Sequence, residues 1–286
     1  MILITGAGGK TGRALIRALA RVESVCAFVH HEEHVPVMKS LGVEKVIVGD
    51  LRDKSAIRLA MRGVKTIYHI CPNMNPDELV IGKLVLEEAR KAGVKRFVYH
   101  SVLHPQTEKM SHHWQKLRVE EMICESGLPF TILQPAPYMQ NWLAGWKSII
   151  EDGILRVPYS VQTNFSFVDL EDIAEAAKIV LTEPTHINAT YELVGTEPLS
   201  YIHVAEIFGR VLVKEVRVEK EEISDWKLRS GLMSEYVVES LVKMFTYYDR
   251  WGLTGNPNVL RWLLKREPAS IELYLQRMFE ENNAID

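Results

Sequence analysis

Between an apolar run at Ile2–Thr5 and an amphipathic stretch from Arg13, residues 5–12 read Thr-Gly-Ala-Gly-Gly-Lys-Thr-Gly. Gly6, Gly9 and Gly12 have the spacing G-x-x-G-x-x-G, in the strand–turn–helix setting that a dinucleotide-binding turn requires. The first glycine permits backbone angles that a side chain forbids. The second lets the backbone approach a pyrophosphate, and the third lets the helix pack on the strand. With Ala7, Gly8, Lys10 and Thr11, these residues would form the phosphate cradle, and the helix would aim free N–H groups and its positive end into it. Gly9-Lys10-Thr11 also matches the end of a triphosphatase loop, but that motif needs glycine where Ile4 stands, so it is excluded.

The rest of the first half repeats the same unit. Ser24–Val29, Lys45–Gly49, Thr66–Ile70, Arg96–His100 and Phe130–Leu133 read as further strands. Arg13–Ala20 and Leu79–Ala92 have helical period, the second stopping at Gly93. Strands alternating with helices predict a doubly wound parallel Rossmann sheet, an α/β fold. Phe167–Leu181 reads as a strand end and a helix, with Asp169 or Asp172 as its cap. Beyond Ser200 helical patterns dominate, with one strand-like stretch at Glu215–Glu219. The expected organisation is a Rossmann domain over 1–150, with core elements returning at about 160–195, and a smaller, mainly helical lobe over 196–286. Trp226, Trp251, Trp262 and several tyrosines in that lobe are read first as core, with some available to line an apolar pocket.

Composition removes several classes. The 286 residues carry 34 Lys and Arg against 37 Asp and Glu, a net charge of −3 that offers no general attraction for nucleic acid or anionic membrane. No apolar run is long enough to span a bilayer, and the start Met1-Ile2-Leu3-Ile4 lacks a basic leader. Cys26, Cys71 and Cys124 have no paired spacing, so neither a zinc site nor a disulfide framework is indicated, and a cytoplasmic setting is expected.

At the end of the second strand an acidic residue would hold the ribose of NAD, and a basic one the 2′-phosphate of NADP. Here the first polar residue is His30, then His31, with Glu32 and Glu33 behind. NADP(H) is favoured over NAD(H), with Lys10 as a further cation.

Six segments together resemble the NmrA-like branch of the atypical short-chain dehydrogenase/reductases: TGAGGKTG at 5–12, GDLRD at 49–53, GVKRFVYHS at 93–101, HHWQK at 112–116, SGLPFTILQPAPYMQN at 126–141 and FVDLEDIAEAA at 167–177. The resemblance implies that Gly6 through Gly12 hold the pyrophosphate and that Asp50 and Leu51 flank the adenine. It implies that Cys71, Pro72 and Asn73 border the ribose and nicotinamide. It implies that Lys116 reaches the nicotinamide ribose and that Tyr138 through Asn141 close over the nicotinamide end. His30 and Gln134 stand where such proteins often carry arginine.

Classical members of that superfamily use Tyr-x-x-x-Lys on one helix face. Here the pair is His112 and Lys116: the lysine is kept and the tyrosine is not. Lys116, Val119 and Ile123 share a stripe that turns inward, so the lysine needs a partner, which cofactor hydroxyls or phosphate could supply. The candidate proton donors are Lys116, His112 and Ser101, with Tyr99 and Tyr138 as alternatives. His100, His104, His112 and His113 with Glu108 invite a metal reading only if one helix aligns them. A loop is expected there, and no metal is assigned. Two functions follow. One is an NADPH-dependent reductase of a small apolar carbonyl, quinone or enone. The other is a non-catalytic NADP(H)-sensing regulator acting through a protein partner. A sugar-nucleotide epimerase or dehydratase would need the absent tyrosine.

Overall fold

The computed structural model describes residues 1–231 and 233–283. The first half runs β1 (Ile2–Ile4), α1 (Lys10–Leu19), β2 (Val25–Val29), α2 (Val35–Ser40), β3 (Lys45–Val48), α3 (Lys54–Ala60), β4 (Thr66–His69), α4 (Glu78–Lys91), β5 (Arg96–His100), α5 (Ser111–Glu125) and β6 (Phe130–Pro135). The second half runs α6 (Trp146–Asp152), β7 (Ile154–Val157), β8 (Asn164–Phe165), α7 (Leu170–Thr182), β9 (Ala189–Leu193), β10 (Leu199–Ser200), α8 (Tyr201–Leu212), β11 (Arg217–Lys220), α9 (Ile223–Arg229), α10 (Glu235–Trp251), α11 (Asn258–Leu264) and α12 (Ile271–Asn283).

The central sheet has the order β3-β2-β1-β4-β5-β6-β9, and its first six strands pair in parallel. The order reverses between β1 and β4. Ligands of such sheets bind outside the carboxyl ends of the strands at that switch point. β2 is buried along its whole length, as expected of a strand with helices on both faces. Leu3, Phe28, Ile67 and Phe97 from the strands meet Ile57, Val85, Ala89 and Ile123 from the helices in one core.

The described chain divides into two compact units. One comprises Met1–Glu108, His112–Pro135 and Ile173–Tyr191; the other comprises Lys109–Ser111, Ala136–Asp172 and Glu192 onward. The second unit is built on aromatic packing. Phe165 lies 5.1–5.3 Å, ring to ring, from Tyr159, Tyr201 and Tyr248. Trp142 lies 4.9 Å from Phe167 and 5.4 Å from Phe208. Tyr201, Tyr248 and Phe208 are therefore core, whereas Trp251 and Trp262 are exposed. No described helix is long and apolar enough to cross a membrane.

Two local details refine the sequence reading. The first helix opens at Lys10 rather than Arg13, because its first turn carries no apolar residue to mark it. The two candidate caps of α7 separate: Asp169 Oδ1 accepts from the Glu171 N–H, while Asp172 accepts from Ala269 N–H and Arg266.

Asp169 is fully buried, and its charge is met by Arg277 at 2.6 Å, with Gln140 donating to the other oxygen. Arg277→Met should strand that carboxylate and cost about 3 kcal/mol, read as a lower urea midpoint. Adding Asp169→Asn, which keeps the cap, should restore most of the loss. An equally unstable double variant would mean that packing, not charge, is what Arg277 supplies.

Candidate active site

The glycine turn leaves β1 and enters α1 at the switch point. Gly6 has φ +60°, and a Cβ on it would lie 2.9 Å from the Ile70 carbonyl oxygen. A Cβ on Gly12 would lie 2.6 Å from Ala7 Cα and from the Gly6 oxygen, so α1 packs directly on the turn. Gly9 differs: a Cβ there would meet only the Gly6 oxygen, at 3.4 Å. Gly9 is also the N-cap of α1 and makes no side-chain cap, so the first N–H groups of the helix are left for a ligand. A backbone that excludes side chains where it packs, and stays open where the helix begins, fits a diphosphate.

Beside this turn lies a histidine cluster. The His30 and His31 rings are 4.4 Å apart, and those of His31 and His34 are 5.9 Å apart. His30 is exposed, 3.4 Å from the Gly49 carbonyl oxygen. His34 was not anticipated from sequence. Its ring packs against Gly8, where a Cβ would sit 2.5 Å from Nδ1. That nitrogen is buried without a hydrogen-bond partner among the described residues. Asp50 is held by Arg52 at 2.6 Å, and hydrogen bonds from that residue pull its carboxyl down to about 2. Leu51 is buried beside it. After β4, Cys71 is buried while Pro72 and Asn73 are exposed.

The inward stripe of α5 carries unusual chemistry. His112, Lys116 and Glu120 are buried at successive turns. The partner that an inward-facing lysine needs is supplied first by the protein itself. Its Nζ lies 3.1 Å from Glu78 Oε1 on α4 and 3.4 Å from the His100 carbonyl oxygen, above the Tyr99 ring. Tyr99 Oη donates to the same Glu78 oxygen at 2.7 Å. Burial and then Glu78 push the Tyr99 phenol far above its ordinary range and the Cys71 thiol upward. Glu78 was missed in the sequence, but a signal was present: it shares the stripe of Ile81, Val85 and Ala89.

Ser101 is buried and donates its hydroxyl to Glu120, which also accepts from Gln134 at 3.0 Å. Burial raises the Glu120 carboxyl. His112 Nδ1 is buried with no hydrogen-bond partner among the described residues. Burial, then His113, then Lys116 push its imidazole down to about 3. Burial likewise lowers His69 to about 4, His100 to about 3 and His113 to about 4. These rings are neutral at pH 7. His104 and Glu108 precede α5, so no single helix aligns them with His112, and among the described residues no three potential ligands converge on a metal position. Tyr138 and Asn141 belong to the second unit, where Tyr138 bridges to Val168 and Asn141 is exposed.

The NmrA-like family matches residues 1–278. The chain is 30% identical to the (4-alkanoyl-5-oxo-2,5-dihydrofuran-3-yl)methyl phosphate reductase of Streptomyces griseus subsp. griseus, over 82% of each chain. In structure it is similar to the NADPH-dependent quinone oxidoreductase QOR2 of Escherichia coli complexed with NADPH, with a TM-score of 0.85 and 24% identity over 98% of this chain and 100% of that one. It is also similar to NmrA, a negative transcriptional regulator, in complex with NAD, with a TM-score of 0.81 and 20% identity over 100% and 98% of the chains.

Two outcomes follow from this geometry. Gly9→Ala has room, so its stability should stay within about 0.5 kcal/mol of the parent while dinucleotide affinity by calorimetry falls at least about tenfold. Unchanged affinity would place the diphosphate elsewhere. The four lowered histidines also set an acid limit. Unfolded, they titrate near 6.5, so the unfolded chain takes up protons first and stability present above about pH 6.5 is lost as pH falls towards about 4. Near pH 5, unfolding should take up nearly four protons (~3.7) on their account, measurable by calorimetry in buffers of different ionisation enthalpy.

Proposed function

Because the chain belongs to the NmrA-like family, we propose that it is an NADPH-dependent reductase that passes hydride to a small apolar carbonyl, quinone or enone. The observation that carries this reading is Lys116, an ammonium buried beside the carboxyl end of β5 and still holding a donor that no described group accepts. The reductase activity named for the Streptomyces protein and for QOR2 supports it.

In this reading residues 6–12 hold the pyrophosphate with backbone N–H groups. His30, with Lys10, faces the 2′-phosphate, which favours NADP(H) over NAD(H). Asp50 and Leu51 flank the adenine, and Cys71, Pro72 and Asn73 border the ribose and nicotinamide. The bound dinucleotide supplies the hydride. Lys116 holds a ribose hydroxyl, and its positive charge stabilises negative charge as it develops on the substrate oxygen. It is also the best-placed proton source of the candidates, acting through the ribose hydroxyl that its one free N–H holds. Tyr99 donates to Glu78, Ser101 donates to Glu120, and His112 is neutral. His112 can still orient a substrate through one ring nitrogen while the other accepts or donates a single hydrogen bond.

The second reading is a dinucleotide-sensing regulator without turnover. The observation favouring it is His112, a neutral imidazole where the superfamily has its acidic tyrosine. NADPH oxidation followed by absorbance with a panel of quinones, aldehydes and enones separates the two. The reductase reading expects turnover that falls about 10²- to 10⁴-fold in Lys116→Ala. Tight NADPH binding without turnover on the whole panel selects the regulator.

A further inference from the structure

A lysine ammonium has three N–H donors, and two of those on Lys116 are directed at Glu78 and the His100 carbonyl. We infer that Glu78 is the positioning residue of the site: it supplies the counter-charge that keeps Lys116 an ammonium inside the protein and aims the remaining N–H at a hydroxyl of the bound dinucleotide. This rests on the reading of Lys116 as a cofactor ligand.

Three observations carry it. First, Glu78 is 3% exposed and Lys116 6%, so neither charge is met by water. Each is stable there only because of the other. Second, the Glu78 carboxylate is fixed by two donors. Tyr99 from β5 donates to it and Lys116 from α5 donates to it, both at the same oxygen. It stands in the first turn of α4, where the positive end of the helix favours a carboxylate. Third, the nearest alternative carboxylate is engaged elsewhere. Glu120, one turn along α5 from Lys116, accepts from Ser101 and Gln134. The imidazoles around the pair, His69, His100, His112 and His113, are neutral at pH 7. Lys116 and Glu78 therefore face each other as cation and anion, with the cation's free donor left over.

A double-variant cycle on NADPH affinity, measured by calorimetry on the full chain, tests this without turnover. E78Q keeps the shape and the Tyr99 contact but removes the charge. K116M removes the ammonium. Each should weaken NADPH binding about tenfold, and E78Q/K116M should match K116M within about twofold, because Glu78 acts only through Lys116. Wild-type affinity in E78Q, or losses that multiply in the double variant, would overturn the inference and point to a purely structural Glu78. If E78Q alone does not fold, the double variant leaves no unpaired charge and is compared with K116M. Equal affinity supports the inference and a further loss of more than about fivefold overturns it. A wild-type protein that binds no dinucleotide removes the premise as well, a failure distinct from one in which the wild type binds and E78Q binds equally.

Discussion

An ammonium removed from water must find an opposite charge within the fold, or the fold gives it up. Lys116 and Glu78 meet that demand across α5 and α4 at 3.1 Å, and much of the surrounding chemistry follows from it. With one cation already buried, a second becomes costly: burial lowers His69, His100, His112 and His113, and the Lys116 charge adds to it. With one anion already buried, the neighbouring acids are held in their protonated forms. Burial first, and then the Glu78 charge, raises the Tyr99 phenol and the Cys71 thiol. The cluster is thus polar in composition, with Lys116 and Glu78 as its ion pair.

The sheet explains why these groups share one edge. Parallel strands linked by crossover helices deliver all their carboxyl ends to the same side. The glycine turn after β1, His30 after β2, Cys71 after β4 and Ser101 after β5 come from distant parts of the sequence. They lie along one rim because the order 3-2-1-4-5-6 reverses beside β1. Helices α4 and α5, entering from that rim, bring Glu78 and Lys116 with them.

What could be read from residue order was whatever depends on local chemistry. The turn at 5–12 was legible because its glycines answer to backbone angles and close packing within a few residues. The strands were legible because burial on both faces makes them continuous apolar runs, as in β2 and β5. What escaped depends on contacts far along the chain. Glu78 looked like one carboxylate in an acidic helix start, and only the lysine 38 positions later reveals its purpose. Asp169 and Asp172 were equal candidates to cap α7, and they part company only because Ala269 and Arg266 arrive at the second. His34 could not be separated from its two neighbours, because its distinction is contact with Gly8, which is a matter of packing.

Cys71 has a bearing on the chemistry proposed for this rim. Quinones are electrophiles that alkylate thiolates, so a reductase that handles them risks inactivation by its own substrate wherever an ionised sulfur lies within reach. Here the sulfur is shielded by burial and faces a carboxylate that opposes its ionisation. It stays a protonated thiol, a far weaker nucleophile than a thiolate.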